Sequence, residues 1–177
     1  LKFLWNSKNE HAVHSPFVFN LLTRCFYDRK SKPEYAILKK YRKSLLENGN
    51  FIEVTDFGAG SRVFRSSKRQ IAKIAKTAGI SPKRAELLFR VTTYYQPEDI
   101  LENGTSLGLA PSALALGARS LGTKGKVITI EGCPNTADIA KNQLEQFSCN
   151  NVENVISEFE SFLITENLQS VIYDLIY

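Results

Sequence analysis

The stretch from Asp99 to Gly108 reads DILENGTSLG, and in it a short apolar strand leads directly into a loop with glycines at positions 104 and 108. Glycines four residues apart let the backbone turn tightly and approach a ligand closely. The helix that follows offers unpaired N–H groups at its start. The stretch therefore predicts a strand at about 99–103, a ligand-binding loop, and a helix running to about Leu121.

The same alternation of strand and helix continues to the end of the sequence. Strands are predicted at Lys126–Glu131 (KVITIE), Val152–Ile156 and Val171–Tyr177, and helices at Asn135–Phe147 and about Phe159–Asn167. Repeated strand-helix units are typical of a parallel sheet covered by helices. We therefore expect an α/β protein with a doubly wound, Rossmann-like parallel sheet. Counted from the strand at 99–103, the strand order is 3-2-1-4.

In that order the strand at Val171–Tyr177 forms an edge of the sheet. An apolar strand left as a bare edge is an aggregation hazard. We therefore expect the natural protein to continue into further strands after Tyr177, so that the sheet in this chain is truncated.

Residues 1–96 have a different character and are predicted to form a helical, basic extension or lid. Helices are expected after the cap at Ser15-Pro16, at Glu34–Leu46, at Ser67–Ala78 and from Pro82 to Tyr95. Residues 1–100 carry 19 Lys and Arg against 9 Asp and Glu, whereas residues 101–177 carry 4 against 9. A basic region can bind nucleic acid or another polyanion, but a solvated helical face explains it as well.

An acid follows the glycine loop at an informative distance. Glu131 ends the second predicted strand, 23 residues after Gly108. An acid there can accept hydrogen bonds from both ribose hydroxyls of an adenosine ligand. The diphosphate-binding G-x-G-x-x-G spacing is missing, and no Gly-Lys-Ser/Thr follows the loop. S-adenosylmethionine, which carries no phosphate, suits a loop that is opened by an acid.

Three stretches resemble motifs of class I S-adenosylmethionine-dependent methyltransferases, in particular the small O-methyltransferase-like group: ILENGTSLG at 100–108, VITIEGCP at 127–134 and YDLIY at 173–177. HAVHSPF at 11–17 and DFGAGS at 56–61 resemble a bacterial branch of that group. The resemblance implies that residues 97–177 bind S-adenosylmethionine and that Asp174 is a structural residue near the cofactor crevice. It implies that Ser157, Glu158 and Phe159 flank the adenine. The expected cofactor-binding residues are Glu102, Gly104, Thr105, Ser106, Gly108, Glu131, Gly132, Glu158 and Phe159.

The implied reaction is methyl transfer from a sulfonium to an oxygen or nitrogen nucleophile of a small or anionic acceptor that the sequence does not identify. His11 and His14 lack the further ligands that a metal site needs, so a local capping or packing role is favoured for them. His14 is the best available candidate for a general base. No metal is expected. Three scattered cysteines indicate reduced thiols in the cytoplasm, and no stretch is long and apolar enough to span a bilayer.

Two motifs leave alternatives open. Asp56–Ser61 (DFGAGS) also looks like a cofactor loop, although no strand ending in an acid follows it at the right distance. Residues 67–95 match the spacing of a helix-turn-helix within Ile74–Leu88, so a DNA-binding regulator is the alternative function. A nicotinamide-dependent oxidoreductase is disfavoured by the glycine spacing.

Overall fold

The computed structural model describes residues 14–55, 66–122, 124–165 and 172–177. The chain divides into two compact units, 1–31 and 32–177. In the first unit, helix α1 (Pro16–Leu21) continues as a π-helical turn, Leu22–Phe26. Ser15 caps α1 by accepting a hydrogen bond from the backbone N–H of Val18, and proline occupies the first turn, as the sequence predicts.

The second unit contains the sheet and the helices that cover it. Its elements are α2 (Pro33–Leu46), β1 (Phe51–Glu53), β2 (Lys68–Gln70), α3 (Ile71–Thr77), α4 (Pro82–Tyr95), β3 (Asp99–Asn103), α5 (Leu109–Arg119) with a 3₁₀ turn (Ser120–Gly122), β4 (Lys126–Glu131), α6 (Pro134–Gln146), β5 (Val152–Ile156), α7 (Phe159–Thr165) and β6 (Leu175–Ile176).

The main sheet has the strand order β5-β4-β3-β6, and all of its pairings are parallel. The predicted order 3-2-1-4 and the α/β fold class are therefore confirmed. Strand β6 is shorter than predicted. The side chain of Asp174, just before β6, accepts hydrogen bonds from the backbone N–H groups of Glu98 and Asp99 at 2.9 and 3.1 Å. Asp174 is thus structural, but it lies at the amino end of the sheet and not near a crevice at the carboxyl end.

Helix α5 lies at the centre of the core, and all its residues from Leu109 to Ala118 are buried. It packs between the sheet and α4. At Gly117 the helices are so close that a Cβ atom would lie 2.7 Å from the carbonyl oxygen of Phe89 and 2.8 Å from the Cβ of Thr92. Helix α4 is therefore part of the same core as the sheet.

Helix α2 joins that core as well, through Leu38, Tyr41 and Leu45. The boundary predicted between residues 96 and 97 consequently does not coincide with a boundary between compact units. Helices α2, α3 and α4 belong to the same compact unit as the sheet, and the lid role stays a prediction.

The region of the proposed helix-turn-helix belongs to this packing. Ile74 and Ala75 of α3 and Ala85 of α4 are buried in the main hydrophobic cluster. Their apolar spacing is thus explained by core packing. Helix α3 begins at Ile71 and not at Ser67 as predicted, because Lys68–Gln70 pairs with Phe51–Glu53 as an antiparallel β-hairpin. The segment Asp56–Ser61 lies outside the described residues.

Helix α2 contacts the glycine loop through Tyr41, which is fully buried. The Tyr41 hydroxyl donates a 3.0 Å hydrogen bond to the carbonyl oxygen of Leu107, and its ring lies 5.0 Å from that of Phe147, centroid to centroid. Gly108 has φ +80°, and a Cβ atom there would lie 2.2 Å from the Tyr41 hydroxyl oxygen. Glycine is therefore required at 108 both by the backbone and by the close approach of α2.

We expect Gly108→Ala to lower the free energy of unfolding by more than about 3 kcal/mol, because a left-handed conformation and a buried clash both act there. Gly122→Ala is the matched control. Gly122 has φ +77°, and a Cβ atom on it would have no neighbour within 4 Å, so this change should cost only about 1–2 kcal/mol. Urea unfolding measures both. Equal losses in the two variants would show that the Tyr41 contact does not require glycine.

Candidate functional site

The loop between β3 and α5 has an unusual backbone. Gly104, Ser106 and Gly108 have φ values of +107°, +47° and +80°. The backbone N–H groups of Gly104 and Thr105 both donate to the carbonyl oxygen of Ile130 in β4, at 3.0 and 3.1 Å. The left-handed conformation of Ser106 is uncommon for a residue with a Cβ. The two hydrogen bonds to the Ile130 carbonyl oxygen hold the loop across the carboxyl ends of β3 and β4.

Glu131 connects this loop to the start of α6. One carboxylate oxygen, Oε2, accepts a 2.8 Å hydrogen bond from the backbone N–H of Ser106. The other, Oε1, accepts a 3.0 Å bond from the backbone N–H of Cys133. Each carboxylate oxygen can accept a second hydrogen bond. Glu131 is therefore fixed in orientation and still able to accept bonds from a ligand.

The carboxylate of Glu131 faces a cavity of about 570 Å³, a volume in the range typical of small-molecule sites. One side of the cavity follows the carboxyl ends of the strands. The opposite side is formed by the β1–β2 hairpin and α3. Its lining residues are Val54, Thr55, Arg69, Ile74, Ala78, Ser106, Glu131, Gly132, Thr136, Ser157, Glu158, Phe159 and Glu160.

The structure brings together five of the predicted cofactor-binding residues and Ser157 around this cavity. Gly104 lies beside it, because a Cβ atom on Gly104 would be 4.0 Å from the ring of Phe159. Of the other predicted residues, Glu102 is buried beneath the loop, and Thr105 and Gly108 are buried within it. The five in the lining are Ser106, Glu131, Gly132, Glu158 and Phe159.

His14, the predicted general base, is exposed and lies in the first compact unit. His11 lies outside the described residues. Within the described residues, no group of three or more His, Cys, Asp or Glu side chains is placed to bind a metal ion. The described helices include none that combines the length and apolarity needed to cross a bilayer.

Sequence reasoning missed the residues on the hairpin side of the cavity. For Val54 a signal exists, because apolar residues alternate with polar ones from Ile52 to Thr55, the pattern of a half-buried strand. Lys68, Arg69 and Gln70 contain no apolar residue, so nothing in them indicates a strand.

Glu102 is the one buried Asp or Glu among the described residues, with 1% of its surface exposed. The Thr105 and Thr129 hydroxyl oxygens are 2.7 Å apart, and the Thr129 hydroxyl donates to Oε2 of Glu102. Burial raises the pKa of Glu102 to about 8, an effect that the Thr129 hydrogen bond opposes and the negative charge of Glu131 reinforces. At neutral pH Glu102 is therefore mostly protonated, beneath the loop.

No family model matches the sequence, and no curated protein sequence matches it. Among solved structures, the SAH-bound Podospora anserina methyltransferase PaMTH1 is 14% identical with a TM-score of 0.56, over 97% of this chain and 59% of that one. The O-methyltransferase from Bacillus cereus in complex with SAH is 21% identical with a TM-score of 0.52, over 87% of this chain and 57% of that one. Cofactor-bound Rv0187 from MTB is 20% identical with a TM-score of 0.52, over 97% and 61%.

At these levels of identity the likeness concerns the fold. The chain has the Rossmann-like fold of class I S-adenosylmethionine-dependent methyltransferases, with the parallel sheet and covering helices that the sequence predicts. It spans about three fifths of the length of these solved proteins.

Glu102→Gln should remove part of the pH dependence of stability. A raised folded-state pKa means that the contribution of Glu102 to stability is present below its unfolded pKa of 4.5 and is lost as pH rises through about 8. Between pH 6 and pH 9, the free energy of unfolding of the wild type should therefore fall by about 2–3 kcal/mol relative to the variant, at about 1.4 kcal/mol per pKa unit. Urea unfolding at both pH values measures this difference.

The control for this experiment is Glu145→Gln, at an exposed position on α6. This variant should keep the wild-type pH dependence. If Glu102→Gln keeps it as well, Glu102 is ionised in the folded protein at pH 6, and the description of a protonated buried acid is wrong.

Proposed function

We propose that this chain binds S-adenosylmethionine in the cavity at the carboxyl ends of β4 and β5, and that the protein transfers the methyl group to an oxygen or nitrogen nucleophile. The observation that carries the proposal is the position of Glu131. Its carboxylate ends β4, is oriented by two backbone N–H groups, and faces the cavity. In nucleotide-binding folds of this type an acid at this place accepts hydrogen bonds from ribose hydroxyls.

The residues around Glu131 fit an adenosine group. Ser157, Glu158 and Phe159 follow β5 at the same edge of the sheet and line the cavity, where the adenine of such a ligand is expected. Phe159 offers an aromatic face to a purine. Two of the similar solved structures, PaMTH1 and the Bacillus cereus O-methyltransferase, contain SAH, which supports the same class of ligand here.

The charge of the lining supports a cofactor without phosphate. Glu131, Glu158 and Glu160 carry negative charge, and Arg69 is the one Lys or Arg among the described residues that line this cavity. A diphosphate would lie close to these carboxylates, and like charges at such distances repel. S-adenosylmethionine carries an amine and a sulfonium beside its carboxylate, so its net charge is opposite in sign to that of the site.

When bound, S-adenosylmethionine would supply an electrophilic methyl group on a sulfonium. The role of the chain's own residues is then mainly positioning, which can provide much of the rate enhancement of a two-substrate reaction. Gly104 and Ser106 would contact the cofactor, and Gly132 would lie beside the adenosine. Glu102, Thr105 and Gly108 would act by holding the loop in its left-handed conformation.

For the methyl acceptor we propose a chemical class only: a small or anionic molecule with an oxygen or nitrogen nucleophile. His14 stays a prediction for the general base. Cys133 and Cys149 are reduced thiols, which supports the proposed cytoplasmic location.

The experiment is a calorimetric titration of S-adenosylhomocysteine into the chain and into Glu131→Ala. We expect binding in the micromolar range, weakened tenfold or more in the variant, which corresponds to about 1.4 kcal/mol. The loss has two physical causes, because the variant lacks both the ribose acceptor and the bond to the Ser106 N–H group.

Two controls show whether the loss of affinity is specific to Glu131 and whether binding is specific to this ligand. Glu145→Gln should bind as the wild type does, and NADH should bind neither protein. A wild-type chain that is folded by circular dichroism but binds no S-adenosylhomocysteine would contradict the proposed cofactor. Binding that is unchanged in Glu131→Ala would contradict the proposed site.

A further inference from the structure

The side of the cavity opposite the sheet is formed by the β1–β2 hairpin and by α3. Val54 and Thr55 directly follow β1, Arg69 lies in β2, and Ile74 and Ala78 lie in and just after α3. None of these residues belongs to the strand-helix units from β3 onward that build the sheet.

The hairpin is attached to the turn that carries Glu131. The side-chain amide of Asn135 donates a 2.8 Å hydrogen bond to the carbonyl oxygen of Glu53. The backbone N–H of Thr55 donates to the sulfur of Cys133 at 3.3 Å. Both anchoring residues lie within four positions of Glu131, so the end of β1 is held at a fixed place beside the turn that follows that carboxylate.

The pairing of the two strands determines which side chains face the cavity. Arg69 pairs with Ile52, and both are partly buried, as is Val54. Side chains alternate between the two faces of a strand. Lys68, the preceding residue, is exposed, and its ammonium lies 5.9 Å from the centroid of the exposed Phe51 ring. Adjacent cations of β2 therefore lie on opposite faces of the hairpin.

The position of the cavity indicates which part of a cofactor Arg69 meets. Its sheet-side lining comes from the loop after β3 and the segments after β4 and β5, and no described residue of β6 contributes to it. Strand order reverses between β3 and β6, and ligands of such sheets bind beside that point, whereas Glu131, the proposed ribose acceptor, lies in the lining of this cavity. The hairpin therefore lies over the far, nucleoside end of the site.

We propose that the hairpin covers the adenosine end of the cofactor and that Arg69 binds the purine directly, with its guanidinium against the ring. This inference rests on the proposed function. Guanidinium groups are planar and stack on aromatic faces. Val54, Ile74 and Ala78 supply an apolar surface beside Arg69, and the carboxylates of Glu158 and Glu160 on the opposite side favour a cation there.

The test compares Arg69→Ala with Lys68→Ala, which removes the same charge from the same strand on the other face. Two ligands are titrated: S-adenosylhomocysteine, and 5′-methylthioadenosine, which lacks the amino-acid part. Arg69→Ala should weaken both ligands tenfold or more and by the same factor, because the contact is with the nucleoside. Lys68→Ala should change neither affinity by more than about twofold, since an exposed charge contributes little.

Arg69→Lys keeps the charge and should still lose at least about fivefold for both ligands, because an ammonium cannot lie flat on a ring. This variant also replaces Arg69→Ala if circular dichroism shows the latter to be unfolded. Unchanged affinities in the Arg69 variants would overturn the inference and leave the proposed function intact.

A loss for S-adenosylhomocysteine alone would also overturn it, because Arg69 would then bind the cofactor's carboxylate. If the wild type binds neither ligand, the proposed function fails, and the inference fails with it.

Discussion

The geometry of the site depends on the carboxylate of Glu131. It accepts one hydrogen bond from the loop after β3 and one from the first residue before α6. Two segments that leave neighbouring strands are thereby held together at one edge of the sheet. The loop needs this support because Ser106 has a left-handed backbone conformation that a residue with a Cβ rarely adopts. The cavity exists because both segments stay in place.

Residues 32–96, which precede the sheet, support the site, although their sequence does not indicate this role. Tyr41 of α2 contacts the glycine loop from behind, α4 packs against α5, and the β1–β2 hairpin forms one side of the cavity. A parallel sheet must be covered on both faces. Here α5 covers part of one face, and helices that precede β3 pack against α5, so residues 32–96 belong to the same compact unit as the sheet. Their basic character is thus a property of the covering layer.

The sequence was sufficient for the features that depend on local pattern. The strand at Lys126–Glu131 and the glycine loop were predictable because apolar runs and glycine spacing are local signals. The hairpin was not, because Lys68–Gln70 is polar throughout and its partner strand ends well before it, at Glu53. The sequence also could not show which of the predicted site residues line the cavity and which are buried beneath the loop. Whether Glu102 faces a ligand or lies beneath the loop depends on its contact with Thr129, a pairing that only the folded sheet creates.

The central claim is that the cavity beside Glu131 is the adenosine site of S-adenosylmethionine. A crystal structure of the chain with S-adenosylhomocysteine tests it most directly. We expect both ribose hydroxyls within hydrogen-bond distance, about 2.6–3.2 Å, of the Glu131 carboxylate, and the adenine between Phe159 and the hairpin. A ligand bound elsewhere on the chain, or one whose ribose does not contact Glu131, would contradict the account.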